Sequence, residues 1–243
     1  MKKEKVIPFV SVIIGLAAAY ILFVNLDLEP YFRGKGEPVT MEDIKKDPGT
    51  DFAGSVPGED VPRLSGKEEF ETGGSVVYTA EPVDIIFTGA YELKPWVKPY
   101  TQRRTRKGRA YGAPKRKPKY LQYDNPDGFF QNHEDYLPFY LLKLPDGTYI
   151  LAQIPKRDAD AIQKGKHVTL PIGRRVLKGI PETLREKCEE YQAPVSGVYY
   201  AFCDTWYEEN YTWMFLLRAG IAAAVCLAVS VFLITVLNRI FHT

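Results

Sequence analysis

The densest chemistry in the sequence lies between Lys94 and Lys119. Lys94, Lys98, Arg103, Arg104, Arg106, Lys107, Arg109, Lys115, Arg116, Lys117 and Lys119 fall there with no acidic residue among them. They are eleven of the 32 Lys and Arg residues, so the rest of the chain holds 21 basic against 30 acidic residues, and the formal net charge of +2 hides a strongly dipolar molecule. Such a run attracts polyanions. Trp96, Tyr100, Tyr111, Tyr120 and Tyr123 are interleaved with the charges, and such rings stack on bases or sugars or sit among lipid headgroups. Arg103, Arg104, Arg106, Lys107, Arg109, Lys115, Arg116 and Lys117 are therefore the candidate anion-binding residues. The competing reading is a solvated, mobile insertion lengthened by Pro95, Pro99, Pro114 and Pro118. Nucleic acid is disfavoured as the partner, because RNA-binding signatures are absent.

Other reactive residue types are sparse. His133, His167 and His242 are far apart, and no HExxH or GxSxG pattern supports a zinc or serine hydrolase. Gly66 and Lys67 lack the spacing of a phosphate loop. Asp124, Asp127, Asn132, His133, Glu134 and Asp135 gather hard oxygen donors, but their spacing matches no calcium loop, so no metal or cofactor is expected. The three cysteines form no CxxC pair. Cys188 and Cys203 are fifteen residues apart, and a bridge there would contribute about 3 kcal/mol. Two buried thiols are the other reading.

The elements that must carry these residues begin with two apolar runs. Val6 to Val24 is uncharged for nineteen residues, enough for a helix to cross a hydrocarbon core of roughly 30 Å. Its length, and the lack of a small-residue cleavage site after it, favour an uncleaved signal anchor over a signal peptide. Ala219 to Leu237 is equally long and charge-free. Trp206, Tyr207, Tyr211 and Trp213 precede it, as rings at a headgroup interface would. Lys2, Lys3, Lys5 and Arg239 flank the outer ends, which predicts cytoplasmic termini and an extracytoplasmic centre in an integral plasma membrane protein. Small residues at four-residue spacing, Ser11, Gly15 and Ala19 in the first run and Gly220, Ala224 and Ala228 in the second, mark expected helix-packing faces.

The division expected is a tail at 1–5, a transmembrane helix at 6–25 and a Gly- and Pro-rich tether at 26–74. A β-rich domain at 75–206 follows, with the basic loop at 94–120, then an interfacial segment at 207–218, a second span at 219–237 and a tail at 238–243. In the tether, Thr40 and Asp43 predict the cap of one short helix ending before Pro48. Strands are expected at 75–79, 84–88, 139–144, 148–154, 167–172 and 198–203, with Pro145, Asp146 and Gly147 turning a hairpin. Helices are expected at 158–164 and 181–191. The fold class is α+β, with either a small OB-like barrel or a curved open sheet.

The tether motif Gly36, Glu37, Pro38, Val39, Thr40, Met41, Glu42, Asp43, Ile44, the hairpin around Leu144 to Tyr149 and the two flanking apolar helices together resemble uncharacterised two-helix membrane proteins of Gram-positive bacteria. That resemblance implies a compartment and no mechanism. The leading expectation is a membrane-anchored, non-enzymatic interaction or accessory module, with membrane lipid and another membrane or envelope protein as partners. The alternatives are a binder of anionic polymer or lipid headgroups acting through 94–119, and a cell-envelope enzyme whose side chains, Asp124, His133, Glu134 and Asp135 first among them, converge only in three dimensions.

Overall fold

The computed structural model describes the whole chain except residues 1–2, 27, 33–35, 73–76, 102–103, 107–108, 123–134 and 242–243. In chain order the elements are α1 (Lys3–Asn25), α2 (Glu29–Phe32), α3 (Met41–Lys46), β1 (Arg63–Leu64), α4 (Lys67–Thr72), β2 (Val77–Ala80), β3 (Asp84–Leu93), β4 (Arg104–Arg106) and β5 (Arg109–Tyr111). They continue with β6 (Tyr120–Gln122), β7 (Tyr136–Lys143), β8 (Tyr149–Gln153), α5 (Lys156–Gln163), β9 (Gly173–Val176), α6 (Glu182–Glu190), β10 (Val198–Tyr200) and α7 (Asp204–Phe241). Two compact units result, one of Lys35–Tyr207 and one of Met1–Gly34 with Glu208–Thr243.

The larger unit is built on a mixed sheet of eight strands in the order β1-β2-β9-β10-β8-β7-β3-β6. The sheet is open, with β1 and β6 at its edges, which corrects the OB-like barrel and leaves the α+β class standing. Its centre reads as continuous apolar sequence because both faces are covered. Tyr140, Leu142, Ile150 and Ala152 pack with Phe70 of α4 and with Ala159 and Ile162 of α5. The alternate residues Phe139, Leu141 and Leu151 pack with Leu184 and Cys188 of α6. A strand's two-residue period makes this division automatic once the register is set.

Local chemistry explains the register. The β7–β8 hairpin turns where Gly147, at φ +89°, donates its N–H to Leu144 O, a conformation that costs glycine little. In β3, Gly89 at φ +78° lies within the register shift between Phe87 and Tyr91, so the strand bulges there. Thr40 caps α3 as expected, with Asp43 returning the bond to the Thr40 N–H.

This unit departs from expectation in two places. The stretch 26–74 is more than a spacer, since β1 pairs in parallel with β2 and both Leu64 and Phe70 lie in the core. The strand expected at 167–172 starts only at Gly173. Leu170 and Ile172 give their N–H groups to Ala80 O and Ser55 O outside any ladder, and both are buried. Their burial mimics a strand pattern. Gly173 itself lies under the Tyr199 ring, which a Cβ would penetrate.

In the smaller unit, α1 and α7 are long and apolar enough to cross a membrane. At 1.5 Å per residue the 38-residue α7 is about 57 Å long, so the interfacial segment and the second apolar run are one helix. Following α1 from Ser11 to Phe23, its contacts run back along α7 from Ser230 to Phe215. Ser230 Oγ donates to Ser11 O at 3.4 Å, and the Phe23 and Phe215 rings meet edge to face at 5.5 Å. Gly15 lies so close to α7 that a Cβ would sit 2.8 Å from Cys226 O.

Candidate functional site

Among its described residues, stretches of the basic segment pair antiparallel, despite its prolines. Leu93 N–H donates to Lys119 O, Lys117 N–H to Pro99 O and Thr101 N–H to Lys115 O, all at 2.8 Å. Tyr100 bridges Arg116 beyond them, and β4 pairs antiparallel with β5. The prolines are compatible with this because a two-stranded ribbon leaves every second N–H outside the ladder. The register sets Arg104 opposite Tyr111 and Arg106 opposite Arg109. Lys115 and Arg116 are exposed, and Tyr100 is 52% exposed. Lys117 is committed elsewhere, donating to Asp135 Oδ2 at 2.5 Å. Arg103 and Lys107 lie outside the described residues.

The metal and enzyme readings rested on 124–135, and of that set only Asp135 lies within the described residues. It is the partner of Lys117. The bridge between Cys188 and Cys203 is not formed. Cys188 packs beside Val198 at the start of β10, whereas Cys203 follows that strand's end and places its Sγ 3.5 Å from Asp51 O. Burial pushes the Cys188 thiol up to about 11, with Glu189 adding to the shift.

The helix-packing residues divide. Ser11, Gly15 and Ala19 are buried on α1. On α7 the buried face carries Met214, Ala222 and Ser230, while Gly220, Ala224 and Ala228 are exposed, which corrects that stripe. Multiples of four residues relate the members of both sets, so spacing alone did not choose between faces two residues apart.

A partly buried polar cluster in the larger unit escaped the sequence reading. Arg174 of β9, Tyr200 of β10 and Gln153 of β8 are direct register partners and so share one row and one face of the sheet. Lys178 donates to Glu92 Oε2 at 2.5 Å and to Gln153 Oε1 at 3.0 Å. Arg174 donates to Asp51 Oδ1 at 2.8 Å, and Tyr200 donates to Asp204 Oδ1 at 2.5 Å. The Asp204 N–H meets Asp51 Oδ2 at 3.4 Å, placing a carboxylate at the start of α7, where the helix dipole favours it. Burial raises the Asp204 carboxyl above its ordinary range, although the Tyr200 hydrogen bond and Arg174 pull it down. Burial and the neighbouring Asp204 charge also push the Tyr200 phenol far up.

The cluster is closed on itself. Its cations are hydrogen-bonded to its anions, and Gln153 Nε2 is the buried atom left over. Arg174 and Lys178 also stand over the Tyr200 ring, at 5.8 and 5.6 Å. Beside it, Trp96 stacks on Tyr207 with ring centroids 4.1 Å apart. These residues come from five separated stretches of the sequence, and none belongs to a local motif. Glu92 and Gln153, polar residues within apolar strands, were the sole legible sign.

Compared with known proteins, the chain finds no significant match to a family model, a curated relative or a solved structure.

Proposed function

We propose that the chain is a membrane-anchored interaction or accessory module of the plasma membrane, acting without catalysis and carrying its α+β unit on the extracytoplasmic side. One observation carries the anchoring. Large apolar side chains on both long helices point away from protein, among them Phe9 at 61%, Leu227 at 68% and Phe232 at 65% exposure. In water that surface is costly; in lipid it costs nothing, and the shared α1–α7 face then gains its contacts from small residues. The basic residues flanking the apolar runs, Lys2, Lys3, Lys5 and Arg239, support cytoplasmic termini and an uncleaved first helix. The non-catalytic reading is supported by the polar cluster, whose two cations are each hydrogen-bonded to a carboxylate within it.

Protease applied to intact cells tests the arrangement. The expected result is loss of the central region with both tails protected. A reporter fused after Thr243 that is active only outside the cell would reverse the orientation, and a chain that washes from membranes at high pH would remove the anchor.

A further inference from the structure

We infer that Tyr31 and Phe32 of α2 and Trp213 of α7 form one aromatic anchor, which lies in the outer headgroup layer of the bilayer and fixes the depth of the smaller unit. The inference deepens the membrane-module reading and rests on it, since only a chain that spans the bilayer has such a layer to occupy.

Three observations carry it. First, the Phe32 and Trp213 rings meet edge to face with centroids 4.7 Å apart, yet both remain exposed, and Tyr31, next in sequence, is 76% exposed. Single apolar side chains are common on a protein surface, but three rings gathered from two helices make a patch of the kind that marks an interaction site. Second, the patch continues down α7. Leu216 follows Trp213 by three residues, so the two share a helix face, and Leu216 is exposed as well. Third, the length of α7 sets the level. Trp213 and Arg239 are 26 residues apart, about 39 Å at 1.5 Å per residue. The hydrocarbon core is about 30 Å thick and the bilayer with its headgroup layers about 40–45 Å, so with Arg239 in one headgroup layer Trp213 falls in the other. Tyr and Trp suit that layer because each has an apolar body and a polar tip.

Two rings that the sequence suggested for this layer are committed elsewhere. Trp206 and Tyr207 belong to the larger unit, where Tyr207 is buried and stacks on Trp96, and Trp206 meets Tyr207 edge to face. Tyr31 and Phe32, placed by the sequence in the tether, take their role.

The test holds the full chain in phosphatidylcholine nanodiscs in which a small share of the lipid carries a nitroxide quencher, either on the headgroup or near the end of the acyl chain. Trp96→Phe with Trp206→Phe leaves Trp213 as the one tryptophan. Adding Trp213→Phe and Tyr31→Trp moves the emitter to α2. In both chains emission should fall more with the headgroup nitroxide than with the acyl-end one, and only weakly with iodide in the water. Salt near 1 M, where the Debye length is about 3 Å, should leave the lipid quenching unchanged, because apolar partition and not charge holds the rings. Where a variant loses its circular dichroism spectrum, the difference between the wild-type chain and Trp213→Phe alone reports the same quenching. Strong iodide quenching without response to either lipid nitroxide, at either position, overturns the inference. So does stronger quenching from the acyl-chain end, which would put the rings in the hydrocarbon core. Failure of the anchoring reading is visible separately, as a chain that never enters the discs.

Discussion

Tyr200, the last residue of β10, donates a 2.5 Å hydrogen bond to Asp204, the first residue of α7. Within the larger unit, Tyr200 and Asp204 are thereby joined twice, through the chain and through a polar contact. Asp51 and Arg174 close the same joint from the far side.

Tyr200→Phe keeps the ring and removes the donor, leaving the Asp204 carboxylate short of a partner. A loss of about 2 kcal/mol is expected, as for a hydrogen bond to a charged group. Thermal unfolding of the detergent-solubilised chain measures it. The double variant with Asp204→Ala should lose less than the sum of the two single changes, because each removes the same contact.

Asp204 also sets a pH dependence. Its folded carboxyl titrates above the ordinary 3.8, chiefly through burial. The folded chain therefore holds this proton more tightly than the unfolded chain. The resulting stability is complete below the ordinary value and is lost as pH rises through the raised one. Asp204→Asn cannot titrate, so its stability relative to wild type should climb from about pH 4 toward neutrality. A difference that is flat over that range would contradict the assignment.

Asp146 works in the opposite sense. Burial pushes its carboxyl up, but hydrogen bonds from the Thr148 backbone and hydroxyl and from the Lys67 N–H outweigh this and hold it below 3.8. Its contribution is present above that value and fades as pH falls through the lowered one. Asp146→Asn should therefore remove acid sensitivity and lower the melting temperature at neutral pH, since the same carboxylate joins the β7–β8 turn to the start of α4.

The α1–α7 face separates two glycines. Gly15→Leu has no room against Cys226 and Ser230 and should cost about 1–3 kcal/mol or separate the helices. Gly220→Leu meets nothing within 4 Å and should change stability by less than about 0.5 kcal/mol. Melting of both variants in one detergent compares them directly.

Cysteine alkylation checks the thiols. With its thiol raised to about 11, Cys188 should react with iodoacetamide only after denaturation, and the mass then gained should account for three thiols. Two unreactive cysteines recovered as one linked peptide would restore the bridge.

The two apolar runs, the Thr40 cap, the β7–β8 hairpin and the helices near Leu184 and Ile162 were legible because each rests on spacing within a few residues. The acid-free run at 94–119 was legible for the same reason. Its antiparallel pairing was not, since Pro99 and Pro114 argue locally against a strand and only the facing arm shows that their missing N–H groups are not needed. The choice between Gly220 and Ala222 on α7 likewise awaited the position of α1. Sheet order, the open edges at β1 and β6 and the Asp51–Arg174–Tyr200–Asp204 cluster are decided by contacts between segments far apart in sequence. Local propensity carries no information about such pairs; burial of both sheet faces selects them together.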